Sequence, residues 1–333
     1  MALDVRLATD DDLDQWNRFV DKSPHGTPFH TLEALDVLAD HADADLYRYV
    51  GYKGQERVGV FPVFLRHRGP VTMAFSPPPG LKVTYLGPVI ADNQTKTRRK
   101  ERQNRHFVQA VLDDVEAEHG PLYYHVKPAA QYPDSRPFVW NGFESTVSHT
   151  YHVDLTTDRD DLFDAFSSDA RRSVRDCRDA DCEVREGDAD TVRWFLPRLA
   201  ALHDDRDAAF DITADFVVDL WESMPEDAAY VYEARVDGDI AGGWVLLESG
   251  DTAYYWQAFA TREVDVGVND YAVWTMMQDA MDRGVETFDL VGANKLNLAK
   301  YKSKFAPDLV THEALERGSY PMRFAANVYQ WMK

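Results

Sequence analysis

Four lysines, Lys295, Lys300, Lys302 and Lys304, fall within the ten residues KLNLAKYKSK. Ammonium groups gathered this closely suit a phosphate or pyrophosphate, because each is a compact, strongly hydrated point charge. Arg171, Arg172, Arg175 and Arg178 form a second basic cluster, and arginine forks match phosphate oxygens in pairs. The chain carries 57 Asp+Glu against 36 Lys+Arg, a net charge of -21, so two basic clusters would focus an anionic ligand. The arginines also fit a solvated helix face, tied to Asp169, Asp176 and Asp179 by local ion pairs worth about a few tenths of a kcal/mol each.

Other residues could carry a reaction. Asp289 ends an apolar strand in FDLVG, where partial desolvation makes it a candidate general base; a hydrogen-bonded structural Asp fits equally. The stretch TREVDVGVNDYAVW feeds a helix whose first N–H groups, near Gly267 and Asn269, would cradle an anion or an oxyanion. A lone glycine there is more often a turn residue than a phosphate loop. Trp256 and Gln257 follow Tyr254 and Tyr255 on a strand and could line a substrate cleft on one side while packing on the other. His149 and His152 are three apart on a strand and face opposite ways, a poor metal pair. Cys177 and Cys182 have no His or Cys companions nearby, so reduced thiols and no metal are expected.

Composition narrows the class. A chain of 333 residues at 44% hydrophobic suggests two globular domains. Asp outnumbers Glu more than twofold, and a dense carboxylate surface suggests a salt-rich, halophile-type cytoplasm. The same charge argues against general DNA binding, which draws on Lys and Arg displacing counterions. No apolar run approaches the roughly 18 residues that span a bilayer and no leader is evident, so a cytoplasmic chain without a transmembrane segment is expected.

The elements that must position these residues recur twice. Residues 46–66 form a hairpin about Lys53-Gly54, and residues 229–248 another about Asp237-Gly238, followed by the strand TAYYWQAFA. Helical apolar spacing over 99–118 and 270–283, the latter with Asn269 as N-cap, leads in both halves to a short apolar strand, PLYYHV and VETFDLV. A long helix is expected over 158–180 between them. Hairpin, strand, helix, strand is a mixed α/β order in which the helix crosses over between neighbouring strands.

This order resembles the GNAT acyltransferase fold used twice in tandem, as in FemAB and FemX-like aminoacyltransferases and their acetyltransferase-like relatives. FHTLEALDVL, RVGVFPVFL, SPPPGLKVTYLGPV, DARRSVRDCRDADCEV and GVETFDLVGANKLNLAKYKSKFAPDL look like that family's landmarks and span nearly the whole chain. The resemblance implies an α/β fold of mixed sheets: a GNAT-like domain over 1–152, a second over 153–318 carrying most of the site, and a helix over 319–333 packing back on the first. It implies acyl or aminoacyl transfer to an amine in an inter-domain cleft. In FemX-like enzymes basic residues near YKSKF hold the phosphates of a nucleotide-linked or lipid-linked acceptor, which matches Lys302 and Lys304, and aminoacyl-tRNA is the donor. Asn294 and Tyr301 look like the Asn and Tyr of ordinary GNAT enzymes, where the Tyr protonates the thiolate of coenzyme A. Lys300, Arg171, Arg172 and Arg175 would help position phosphates, Gly267 and Asn269 the oxyanion.

One motif departs. The GNAT pyrophosphate loop has the form R/Q-x-x-G-x-G/A, whereas residues 264–269 read VDVGVN, which tilts the expectation from acyl-CoA toward an aminoacyl donor. The expectation is an N-acyltransferase with no bound cofactor, taking aminoacyl-tRNA or acyl-CoA as co-substrate and a small-molecule amine as acceptor. The alternatives are an acetyl-CoA-dependent N-acetyltransferase and a non-catalytic tandem-GNAT binding module.

Overall fold

The computed structural model describes residues 3–204 and 210–318; the helix expected over 319–333 lies outside them. The chain divides into unit 1, residues 1–147 and 312–333, and unit 2, residues 148–311.

Unit 1 contains β1 (Asp4–Leu7), α1 (Asp10–Leu13), α2 (Trp16–Asp21), α3 (Leu32–Ala42), β2 (Asp45–Lys53), β3 (Glu56–Arg68), β4 (Val71–Ser76), β5 (Val89–Ile90), α4 (Thr97–His119), β6 (Tyr123–Val126) and α5 (Arg136–Trp140). β2 and β3 form the expected hairpin, with Lys53 opposite Glu56. β4 stops at Ser76 because Pro77 cannot donate to a ladder. α4 lays Phe107, Val108, Val111, Leu112 and Val115 on Tyr49, Phe61, Val63 and Leu65 of the sheet. Each such side chain contributes about 1.5–3 kcal/mol on full burial. β4 and β6, joined through α4, pair in parallel.

Two strands cross the unit boundary: β7 (Glu144–Asp154) enters unit 2, and β13 (Asp308–Gly318) returns to unit 1. Within unit 1, Leu315–Gly318 of β13 pair antiparallel with Val126–Tyr123 of β6. The two units meet at 147/148 and 311/312, within a few residues of the 152/153 and 318 bounds that the resemblance implies.

Unit 2 holds α6 (Arg159–Ala165), α7 (Ser168–Asp179), β8 (Cys182–Glu186), α8 (Ala189–Asp204), α9 (Ala214–Ser223), β9 (Ala229–Val236), β10 (Asp239–Ser249), β11 (Thr252–Ala260), α10 (Val268–Asp282), β12 (Thr287–Asp289) and α11 (Leu296–Lys302). The single helix expected over 158–180 is two. Phe166 is extended, and Ser167 restarts the helix as an N-cap whose side chain accepts from Ala170 N–H. Strands run β7, β12, β11, β10, β9, β8, with β11 and β12 parallel. Asp237 (φ 51°) and Gly238 (φ 87°) make the two-residue hairpin turn between β9 and β10, both in the left-handed region that such a turn requires. α10 packs Val268, Ala272, Val273, Met276, Met277 and Ala280 on a core with Trp244, Leu246, Tyr255 and Phe288. It begins at Val268 with Gly267 as N-cap, so Asn269 is a first-turn residue and not the cap.

Candidate active site

β11 and β12 pair over three residues only, Thr252–Tyr254 with Thr287–Asp289. Beyond Tyr254, β11 continues to Ala260 while β12 ends, so the two strands part at their carboxyl ends. That is where ligands enter open α/β sheets. A pocket of about 970 Å³ lies there, within unit 2, at the upper end of the range for small-molecule sites. The β10–β11 register shifts between Val245, opposite Gln257, and Leu246, opposite Tyr255. Trp256 is thus the bulged residue, and it turns toward Phe216 edge to face at 5.9 Å while lining the pocket beside buried Gln257.

The wall opposite is the first turn of α10. Gly267, Val268, Asn269 and Asp270 line the pocket, joined by Ser173 of α7. A Cβ at Gly267 would stand 2.4 Å from Ser173 Cβ, so only glycine permits this approach of α7. Asn269 organises the polar groups: its carbonyl accepts from Trp244 Nε1 at 2.8 Å and Tyr255 Oη at 3.1 Å, and its amide donates to Tyr301 Oη at 2.5 Å. Burial holds the Tyr301 phenol protonated, well above its ordinary pKa, aided by nearby Tyr255 and by a hydrogen bond to Asp270. Asp270 in turn receives Lys304 Nζ at 3.5 Å, and Lys304 pairs with Asp169 at 2.9 Å.

Lys302 lies 6% exposed at the pocket edge. Its ammonium donates to Val291 O and to Gly292 O at 3.0 Å, leaving one of its three donors for a ligand. Burial pulls its pKa down to about 8, against the opposing charge of Asp289. Val291 has φ 51°, an uncommon conformation for a β-branched residue. The turn is clamped from both sides, because Val291 N–H also donates to Asp289 Oδ1 at 2.7 Å.

Asp289 is 1% exposed and is not among the pocket-lining residues. Thr150 donates to its Oδ1, and its Oδ2 faces His152 Nε2 at 3.5 Å. Of the residues singled out from sequence, Tyr301, Lys302, Lys304, Gly267, Asn269, Trp256 and Gln257 come together in the pocket. Lys300 is exposed outside it, and Asn294 accepts from His149 N–H at 2.9 Å instead of meeting Tyr301. The arginines stand away as well. Arg171 pairs with Asp164 at 3.3 Å, Arg172 is exposed, and the Arg175 guanidinium lies 5.8 Å from the Phe163 ring centroid. They occupy faces of α7 that do not pack toward Gly267. Lys295, the first of the clustered lysines, lines the pocket too; lining residues not anticipated from sequence include Ser173, Asp270, Val291 and, from α8, Leu199 and Leu202. For Asp270 the available signal was an acidic residue at a helix start. Among the described residues, no helix is long and apolar enough to cross a membrane, and no three His, Cys, Asp or Glu side chains group as metal ligands would.

Comparisons with known proteins agree with this geometry. Residues 165–303 match the family model described as an acetyltransferase (GNAT) domain. The crystal structure of FemX aligns over 93% of this chain and 96% of its own at a TM-score of 0.72 and 14% identity. The C-terminal domain of a protein provisionally named a lysylphosphatidylglycerol synthetase, from Agrobacterium fabrum, aligns over 95% of each chain at 0.57 and 14%. A tandem GNAT protein from the clavulanic acid biosynthesis pathway aligns over 95% and 98% at 0.55 and 12%. No curated protein is significantly similar in sequence. The chain therefore has the fold seen in FemX and in a tandem GNAT protein, and its residues 165–303 match the acetyltransferase (GNAT) domain model.

Proposed function

We propose that unit 2 transfers an acyl or aminoacyl group from an activated ester or thioester to an amine acceptor. The observation that carries this is the pair Tyr301 and Lys302, consecutive on α11 and both on the pocket wall where β11 and β12 part. The acceptor amine attacks the donor carbonyl and forms the C–N bond. The free N–H of the Lys302 ammonium offsets the charge on the tetrahedral oxyanion, with the α10 N-terminus adding its partial positive charge. As the C–O or C–S bond breaks, Tyr301 Oη gives its proton to the leaving atom, and Asn269 Nδ2 supports the phenolate left behind. The proton released by the amine passes to water in the open pocket, which resupplies Tyr301. Asp289 has a positional part in this scheme, since its carboxylate orders the Val291–Gly292 turn whose carbonyls receive Lys302.

An aminoacyl ester fits the donor side better than coenzyme A. At the α10 N-terminus, where a pyrophosphate would bind, the Asp270 carboxylate already stands, and Ser173 covers Gly267. A second reading, acetyl-CoA as donor, is favoured by the family model's description. The acceptor is a small amine, nucleotide-linked or lipid-linked as the resemblance to FemX-like enzymes implies, the lipid-linked case in keeping with one neighbour's name. Thermal shift in concentrated potassium chloride separates the donors. Stabilisation by aminoacyl-tRNA over deacylated tRNA, weakened in Lys302→Met, supports the first; stabilisation by acetyl-CoA alone supports the second; none by either favours a binding module.

A further inference from the structure

β11 changes face at its bulge. Residues directly opposed in an antiparallel pair share a face, so Tyr255, opposite Leu246, and Gln257, opposite Val245, point to opposite sides of the sheet. In an unbroken strand, two positions apart, they would point the same way. Trp256 takes up the extra position. Tyr255 faces α10, where its hydroxyl donates to Asn269. Gln257 therefore faces α8. Phe259, next on its side of the strand, has its ring centroid 5.8 Å from that of Trp194 on α8, and a Cβ on Gly243 opposite Phe259 would stand 2.4 Å from Phe195 Cδ1.

On that side the pocket is lined by Gln257 and Phe259 of β11 and by Leu199 and Leu202 of α8. His203 of α8 sets its ring against Phe210, with centroids 4.8 Å apart. The charged lining residues Asp270, Lys295, Lys302 and Lys304 belong to α10, to α11 and to its flanks, and Arg262, past the end of β11, is exposed. Gln257 is 5% exposed, and among the described residues its carboxamide has no hydrogen-bond partner. Buried Gln103 and Asn104, by contrast, are engaged: Gln103 Nε2 donates to Ala91 O at 3.3 Å and to Asn93 Oδ1 at 3.2 Å, and Asn104 Nδ2 to Asp134 O at 2.7 Å.

A buried amide without a partner costs stability, and a ligand that pairs with it recovers the loss. We propose that Gln257 is a specificity residue for the acceptor, holding an uncharged, amide-type group on the molecule that carries the attacking amine. A carboxamide offers two N–H donors and a carbonyl acceptor, so it pairs with another amide in both directions. It brings no charge with which to balance a carboxylate or an ammonium away from water, and the leucines and Phe259 beside it bring none either. The assignment to the acceptor rests on the acyl-transfer reading: Tyr301 serves the leaving atom from the α10 face, which leaves the α8 face to the incoming amine.

The test uses three primary amines, 4-aminobutanamide, 4-aminobutanoate and butylamine, which differ only in a terminal carboxamide, carboxylate or methyl group. Without ligand, Gln257→Met should melt at least about 2 °C above the wild type, because an apolar side chain of similar length removes the unpaired amide. Gln257→Leu serves the same purpose if methionine does not fit. In thermal-shift titrations of the full chain, 4-aminobutanamide should saturate at about tenfold lower concentration than the other two amines, and Gln257→Met should erase that preference. With labelled donor, KM for 4-aminobutanamide should rise about tenfold in Gln257→Met while kcat holds, a split that general loosening of β11 would not produce. Preferential binding of 4-aminobutanamide without label transfer would keep the subsite and contradict the transferase reading. A wild type that shows no preference for the amide, a preference that the variants leave intact, or ligand-free variants no more stable than the wild type would overturn the assignment.

Discussion

The Asn269 side-chain amide donates to the Tyr301 phenolic oxygen at 2.5 Å, while the Asn269 carbonyl collects Trp244 Nε1 and Tyr255 Oη. One residue in the first turn of α10 thereby fixes the orientation of a phenol on α11. If Tyr301 is the proton donor, Tyr301→Phe should lower kcat by about 10²–10³, within the range usual for a general acid, and leave the melting temperature nearly unchanged. Asn269→Asp replaces the donated N–H by a carboxylate oxygen and should lower both kcat and stability. Steady-state kinetics with circular-dichroism melting separates the two effects.

Lys302 supplies a pH dependence whose sign follows from its burial. Its folded-state pKa, about 8, lies below the ordinary lysine value of 10.5. Below about pH 8 the ammonium is charged in both states, and the full cost of burying it is present. Between pH 8 and 10.5 the unfolded chain binds more protons, so stability attributable to Lys302 rises with pH. Relative to Lys302→Met, the wild type should gain about 2–3 kcal/mol between pH 7 and pH 10. A constant difference across that range, measured by urea denaturation, would show that Lys302 is solvated.

The contact of Gly267 with Ser173 leaves no room for a methyl group. Gly267→Ala should cost about 1–3 kcal/mol through overpacking. In a Ser173→Gly background the same change should cost markedly less, giving a coupling of about 1 kcal/mol in a double-mutant cycle. Additive effects would mean that α7 yields freely at this point.

Val291 holds φ 51° against its β-branched side chain because Asp289 grips its N–H and Lys302 its carbonyl. Val291→Gly should relieve strain of about 1–3 kcal/mol, partly offset by the entropy of the added glycine. A modest rise in melting temperature with a loss of transferase rate is expected. A fall in melting temperature would show that the Val291 side chain contributes more than its backbone costs.

The order of elements was legible because strand-rich runs, turn residues and helical apolar spacing are local. Both hairpins and both crossover helices stand where their patterns place them, with ends shifted by a few residues. The break of the 158–180 helix at Phe166–Ser167 was masked by continuous apolar spacing, although Ser167 is itself a good N-cap. The passage of β7 and β13 across the unit boundary depends on long-range ladders, which no local pattern records. Charge density does not tell which basic residues reach the pocket: Lys300, Arg171, Arg172 and Arg175 form conspicuous clusters yet stay outside it, whereas Lys302 lines it and is buried, an uncommon state for lysine. Asp289 was noticed for its place at a strand end, and that place turns it toward Thr150, His152 and the Val291 turn.

The central claim, that the unit 2 pocket catalyses acyl transfer through Tyr301 and Lys302, is tested most directly by following label from a mixed pool of [14C]aminoacyl-tRNA, and separately from [14C]acetyl-CoA, to an amine-bearing metabolite and lipid extract. The wild type should transfer label from one of these donors, with the rate falling at least a hundredfold in Tyr301→Phe and in Lys302→Met and holding in Lys300→Ala. Folded wild type that transfers label from neither donor, or Tyr301 and Lys302 variants that transfer it at the wild-type rate, would contradict the account.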